Sequence, residues 1–303
     1  MIVLSTLAPF WYFMGNDEFA SMFLDFVFCL HTCVLYRRSL EEKRQPWLQT
    51  FIGCIIGTFG GTVLTSFALG IPITFLSRMH TPSAFAFAWW LVFCSPGDIP
   101  FWIVSGNRPI HFLLEMINCI AGAHAVTSWG SDVALGSTHI PGGSGALTIL
   151  SGTLSASGGG MLCLWFDVTG STEEWSFRTP PTLKKAGLGV KNALFSSIIY
   201  YLMRNPHATL PWGQDQIPKS EAAVVVWLLW TAILVATEYR VNDPYATLSD
   251  LVGTLLMVPA YVPASTAHAY HHVEGAVHDK MEDEGMYTEG GGAKAGKPAG
   301  RGG

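Results

Sequence analysis

From Phe19 to Tyr239 the chain consists of long apolar runs separated by short polar connectors. A bilayer core of ~30 Å needs about 20 apolar residues in a helix rising 1.5 Å per residue. Seven segments meet that length: Phe19–Tyr36, Leu48–Ile71, Ser83–Val104, Ile110–Trp129, Gly145–Val168, Ala186–Met203 and Ala222–Tyr239. No Asp, Glu, Lys or Arg occurs between Leu48 and Ser77, or between Val133 and Phe166, so those two spans are the most clearly marked. The pattern predicts an all-α polytopic membrane protein with seven transmembrane helices. Leu248–Ala267 is also apolar but carries Asp250, Pro259 and Pro263, and is read as an interfacial or re-entrant segment.

The connectors set an orientation, because Lys and Arg near span ends are retained on the cytoplasmic side. With the N-terminus outside, Arg37, Arg38, Lys43, Arg44, Arg108, Arg178, Lys184, Lys185 and Arg240 lie inside, against Arg78, Arg204 and Lys219 outside. This predicts an N-terminus outside the cytosol and a cytosolic C-terminus. The resulting organisation is a luminal or interfacial segment 1–18, a seven-helix domain 19–241, an interfacial or amphipathic segment 242–278 and a Gly-rich, disordered tail 279–303.

Composition agrees. Half of the 303 residues are hydrophobic and 13% are charged, against roughly 25% charged in soluble domains. The net charge of −5 excludes a basic nucleic-acid binder. Cys29, Cys33, Cys54, Cys94, Cys119 and Cys163 all fall inside apolar runs and form no zinc-type spacing. His268, His271, His272 and Glu274 stand at helical spacing, but in a segment read as flexible, so no metal site is assigned.

Two spans carry glycine at mid-depth: Gly53, Gly57, Gly60, Gly61 and Gly70 in the second, and Gly152, Gly158, Gly159 and Gly160 in the fifth. They lie three spans apart, and a shift of three reverses direction in the membrane. The reading is an inverted 3+3 repeat with a seventh helix added, a device that places discontinuous helices at the midplane. Broken backbone is tolerated there only where it lines a wet cavity or is covered by protein. The matched clusters favour kinked, pore-lining helices over close-packing contacts of the small-xxx-small type. Alanine at these glycines is then expected to lower current and leave assembly intact.

These residues resemble the trimeric intracellular cation channels, over roughly residues 20 to 240. The resemblance rests on Phe23-Leu24-Asp25-Phe26 with Val34-Leu35-Tyr36-Arg37-Arg38, and on Gly57-Thr58-Phe59-Gly60-Gly61 through Leu69-Gly70-Ile71-Pro72. Trp89-Trp90-Leu91-Val92-Phe93-Cys94-Ser95-Pro96-Gly97-Asp98 is its most specific piece, and Ser151-Gly152-Thr153-Leu154 through Ser157-Gly158-Gly159 completes it. It implies a homotrimer in endoplasmic reticulum or another intracellular membrane, each protomer with its own hourglass pore, passing K⁺ to balance the charge of Ca²⁺ release. One departure stands out. The family's Lys-Glu-Val motif, which binds a phosphoinositide head group, aligns with Asn118-Cys119-Ile120, and the basic residue before the fifth-span kink aligns with Ser155. With the lysine missing, the resemblance does not carry phosphoinositide binding over to this chain, although membrane lipids remain partners.

Charges inside spans are costly and become functional candidates by default. Asp25 is read as interfacial or as part of the pore mouth. Asp98 could cap a helical turn or attract cations, and Glu115 and Lys191 could pair with one another or line the conduit. His124 could titrate as a gate or hydrogen-bond a carbonyl. Trp47, Trp102, Trp129, Trp175 and Trp212 cluster at span ends, as an interface belt does. No nucleophile with its base, no phosphate-cradling loop and no HExxH is present, so neither an enzyme nor a cofactor is expected. The leading expectation is a cation channel with Gly57, Gly60, Gly61, Gly158, Gly159 and Gly160 in its pore wall. The rivals are a proton-coupled transporter relaying through Asp98, Glu115 and His124, and a membrane scaffold with an interacting tail.

Overall fold

The N-terminal residues form a helix, α1 (Ile2–Asn16), that seats Trp11 and Met14 in a buried cluster against α2 (Glu18–Ser39). Asp17 starts α2: its carboxylate accepts from the Ala20 N–H at 2.9 Å, and Arg37 and Arg38 occupy the last turn, where cations suit the negative end of the helix dipole. This computed structural model describes residues 2–40, 44–137, 144–168, 175–177, 179, 186–205, 217–239 and 243–245. The segment from Leu248 to Ala267, the histidines of the tail and the Gly-rich end lie outside the described residues.

α3 (Trp47–Leu69) runs unbroken to Gly70, whose φ of 65° closes the helix in the left-handed region, with the Ile71 N–H donating to the Ser66 carbonyl at 3.0 Å. α4 (His80–Phe93) ends before Pro96, and Gly97 (φ 67°) and Asp98 (φ 55°) then turn the chain by 87° into α5 (Ile99–Gly106). Successive left-handed residues cannot continue a right-handed helix, so the third expected span is a bent pair. α6 (Arg108–Val126), capped by Asn107, passes through a wide π-type turn at Thr127–Ser131 into Asp132–Leu135. α7 (Gly145–Trp165), capped by Ser144, α8 (Leu188–Arg204) and α9 (Lys219–Glu238) follow.

The fold is all-helical and polytopic. Among the described residues, five helices (α2, α3, α6 with its extension, α7 and α9) are long and apolar enough to cross a membrane, and the bent pair α4–α5 makes a sixth. α8 coincides with the sixth expected span but is 17 residues long. Phe19, Phe23, Trp47, Phe67, Phe87 and Trp102 stand exposed on the outer faces, where lipid would cover them. Inside, one buried cluster joins α1, α2, α6, α8 and α9, and a second joins α2, α3, α4 and α5 around Phe59, Phe85, Trp89 and Val92.

The two glycine-bearing helices α3 and α7 cross in direct contact. A Cβ on Gly61 would lie 2.3 Å from the Ser155 carbonyl oxygen, one on Gly159 2.3 Å from that of Gly57, and one on Gly158 2.9 Å from the Gly61 Cα. The structure differs here from the expected unwound backbone: both helices keep helical conformation throughout, and these glycines let two backbones touch. Van der Waals contact between backbones replaces the midplane break that the sequence pattern suggested.

Candidate ion pathway

Beside that crossing a cavity of about 350 Å³ opens between α2, α3, α6 and α7. Its mouth carries Asp25, Thr74, Ser77, Arg78 and Thr81, and its walls reach Gly57 and Thr58 on α3, Asn118 and Gly122 on α6, and Ser155 and Gly160 on α7. Asp25 is buried at the base of the mouth, where its carboxylate accepts a 2.6 Å hydrogen bond from the Thr81 hydroxyl, with His80 Nε2 3.5 Å away.

The walls hold unspent polar capacity. Thr58 Oγ1, Ser155 Oγ and Asn118 Oδ1 are buried and have no hydrogen-bond partner among the described residues. Each lines the cavity. Leaving such groups unpaired costs about 1–3 kcal/mol apiece, a cost that water or a cation admitted among these side chains would relieve. One turn further along α2 and one turn back along α3, the path closes: Cys33, Val34 and Cys54 are fully buried, and Tyr36 packs so tightly that a Cβ on Gly53 would overlap its hydroxyl. The cavity is therefore a vestibule entered from the Asp25 end and shut at the Cys54 level.

The sequence model of the TRIC channel family matches residues 38–236. The chain belongs to the TRIC channel family. No curated protein matches it. Among solved structures it is similar to a trimeric intracellular cation channel from C. elegans without Ca²⁺, at 20% identity and a TM-score of 0.60, covering 79% of this chain and 99% of that one. The Ca²⁺-bound form of the C. elegans channel matches at 16% identity and a TM-score of 0.61, over 77% and 96% of the two chains. A structure described as the basis for activity of TRIC counter-ion channels in calcium release matches at 18% identity and a TM-score of 0.57, over 72% and 93%. At these identities the likeness establishes the fold of a TRIC channel.

Within this TRIC fold the expected site residues separate into two groups. Gly57, Gly61, Gly159, Gly160, Asn118 and Ser155 come together on the cavity wall, while Gly60 and Gly158 sit at the α3–α7 contact beside it. The charged candidates are elsewhere and mostly paired. Asp98 is held by Arg37 at 2.9 Å, and the Arg37 guanidinium also lies 4.3 Å over the Phe101 ring. Glu115 faces His111, one turn before it on α6, and Lys191 pairs with Asp243 at 2.5 Å, so the expected Glu115–Lys191 pair does not form. His124 is buried, stacked 4.0 Å from the Trp11 ring, away from the cavity lining.

Thr58 and Trp129 are among the lining residues that were not foreseen. Thr58 looked like ordinary span filler, and only its unpaired hydroxyl identifies it. Trp129, read as part of the interface belt, lines the cavity instead, because the wide turn at Thr127–Ser131 rotates the end of α6 inward.

Proposed function

We propose that this TRIC channel conducts K⁺ across an intracellular membrane as a homotrimer with one pore per protomer, supplying counter-ion current for Ca²⁺ release. The observation that carries the reading is the vestibule: one carboxylate, Asp25, at its mouth and neutral oxygens of Thr58, Asn118 and Ser155 deeper in. Hard divalent cations are held by several carboxylates at once, and a lining with a single acid, shared with Thr81 and Arg78 at the mouth, and neutral oxygens elsewhere suits a weakly held monovalent ion that must also leave. The trimer and the Ca²⁺-release role are carried over from the solved channels it resembles. Seven crossings follow if α8 spans with its flanking residues.

Purified protein in a planar bilayer under a K⁺ gradient tests this. Unitary currents carried by K⁺ are expected, and a saturable, pH-driven flux without steps would instead indicate a proton-coupled carrier. Native mass spectrometry in detergent should give a trimer, and a stable monomer or dimer would overturn that part.

A further inference from the structure

Beside the closed end of the vestibule, α2 and α6 bring together His31, His111 and Glu115, with one possible ligand atom from each lying within 4.8 Å of the others. His111 and Glu115 are one helical turn apart on α6, with His111 Nδ1 and Glu115 Oε1 3.5 Å apart. His31 comes from α2, is 5% exposed, and its Nε2 has no hydrogen-bond partner among the described residues. Around Zn²⁺, nitrogen and oxygen ligands bind at 2.0–2.2 Å, which puts neighbouring ligands about 3.4 Å apart. The pair on α6 already has that spacing, and the His31 ring must move toward it for all three to bind one ion.

We propose that His31, His111 and Glu115 form a regulatory site for a borderline divalent cation such as Zn²⁺, with water completing its coordination. Two imidazoles and one carboxylate select Zn²⁺ and its transition-metal neighbours over Mg²⁺ or Ca²⁺, which favour all-oxygen sets. One resident cation competes. The exposed Arg38 guanidinium donates to His111 Nε2 at 2.9 Å. The metal takes a lone pair of His111, and Arg38 swings into solvent. Because His31 lies two residues beyond Cys29, and Glu115 one turn before Asn118, the ion ties together the two helices that carry those lining residues. Holding α2 against α6 would fix the spacing of two walls of the vestibule.

The site is tested by Co²⁺ titration of the full-length, detergent-purified protein, followed by the visible absorption of bound Co²⁺, with Zn²⁺ displacement as a check. The parent protein carries His268→Ala, His271→Ala and His272→Ala, so that tail imidazoles contribute nothing. One saturable equivalent per protomer is expected. Losing a direct ligand should cost more than the roughly ten- to hundredfold loss that follows removal of an outer-shell partner, so Glu115→Gln and His111→Asn should each weaken binding at least that far. Arg38→Ala should tighten it. Melting without metal confirms that each variant is folded, and the partly exposed Glu115 carries the test if His31→Ala fails to fold. Absence of saturable binding, or equal affinity in Glu115→Gln, His111→Asn and the parent, would overturn the site; unchanged or weaker affinity in Arg38→Ala would overturn the competition.

Discussion

Replacing Gly61 with alanine puts a methyl carbon 2.3 Å from the Ser155 carbonyl oxygen and 2.6 Å from that of Leu154. Such carbon–oxygen contacts close at about 3.3 Å, so α3 and α7 must part by about 1 Å at their crossing. Both obstacles are helix backbone and cannot rotate away. A gap of that size forfeits a quarter to a half of each dispersion contact nearby, and overpacking of this kind costs about 1–3 kcal/mol. Alanine recovers roughly 1 kcal/mol of helix propensity over glycine, which leaves a net loss of about 2 kcal/mol at the upper end. Gly160 is the control, because nothing lies within 4 Å of its added Cβ. There the propensity gain stands alone. Reversible unfolding in mixed micelles with rising SDS, followed by tryptophan fluorescence, should separate Gly61→Ala from Gly160→Ala by about 1–3 kcal/mol, with Gly160→Ala at or above wild type. Equal stability of the two variants would refute the packing argument. A Gly61→Ala protein with full stability and lost current would restore the kinked-helix account.

Thr58→Val and Ser155→Ala remove hydroxyls with no protein partner, so unfolding should change by less than about 1 kcal/mol while K⁺ current falls several-fold in bilayer recordings; unaltered current would move the pathway elsewhere. Asp25→Asn keeps its shape beside Thr81 and should lower current most at low salt, where the mouth's charge is least screened; a loss independent of ionic strength would count against the mouth role. Asp98→Asn weakens a partly exposed pair with Arg37, so melting should shift by no more than about 1 kcal/mol and conductance should hold. His124→Phe retains the stack on Trp11, and the pH profile of the current should be that of wild type; a displaced profile would return His124 to the gate.

Reading the sequence alone brought out what lipid imposes on a chain, because a bilayer demands long apolar helices wherever the backbone crosses. Six of the expected spans coincide with continuous helices, and the third coincides with the bent pair whose Pro96-Gly97-Asp98 turn was visible as residues but not as an 87° bend. The importance of Gly57, Gly60, Gly61, Gly158 and Gly159 was also legible, since small residues at matching depth mark places where something approaches closely. Their role was not. A glycine that unwinds and one that admits a neighbour look identical until the neighbour is known, and here the neighbour is the other glycine helix. The same limit applies to charges and polar groups. Asp98, Glu115 and Lys191 drew attention because charge in an apolar run is rare, yet tertiary contact decides that Asp98 and Lys191 are held by Arg37 and Asp243 and that Glu115 faces His111. Thr58 drew none, because a hydroxyl becomes informative only when packing denies it a partner. Local sequence determines which residues are costly to bury, and tertiary contact alone decides which of them remain unsatisfied.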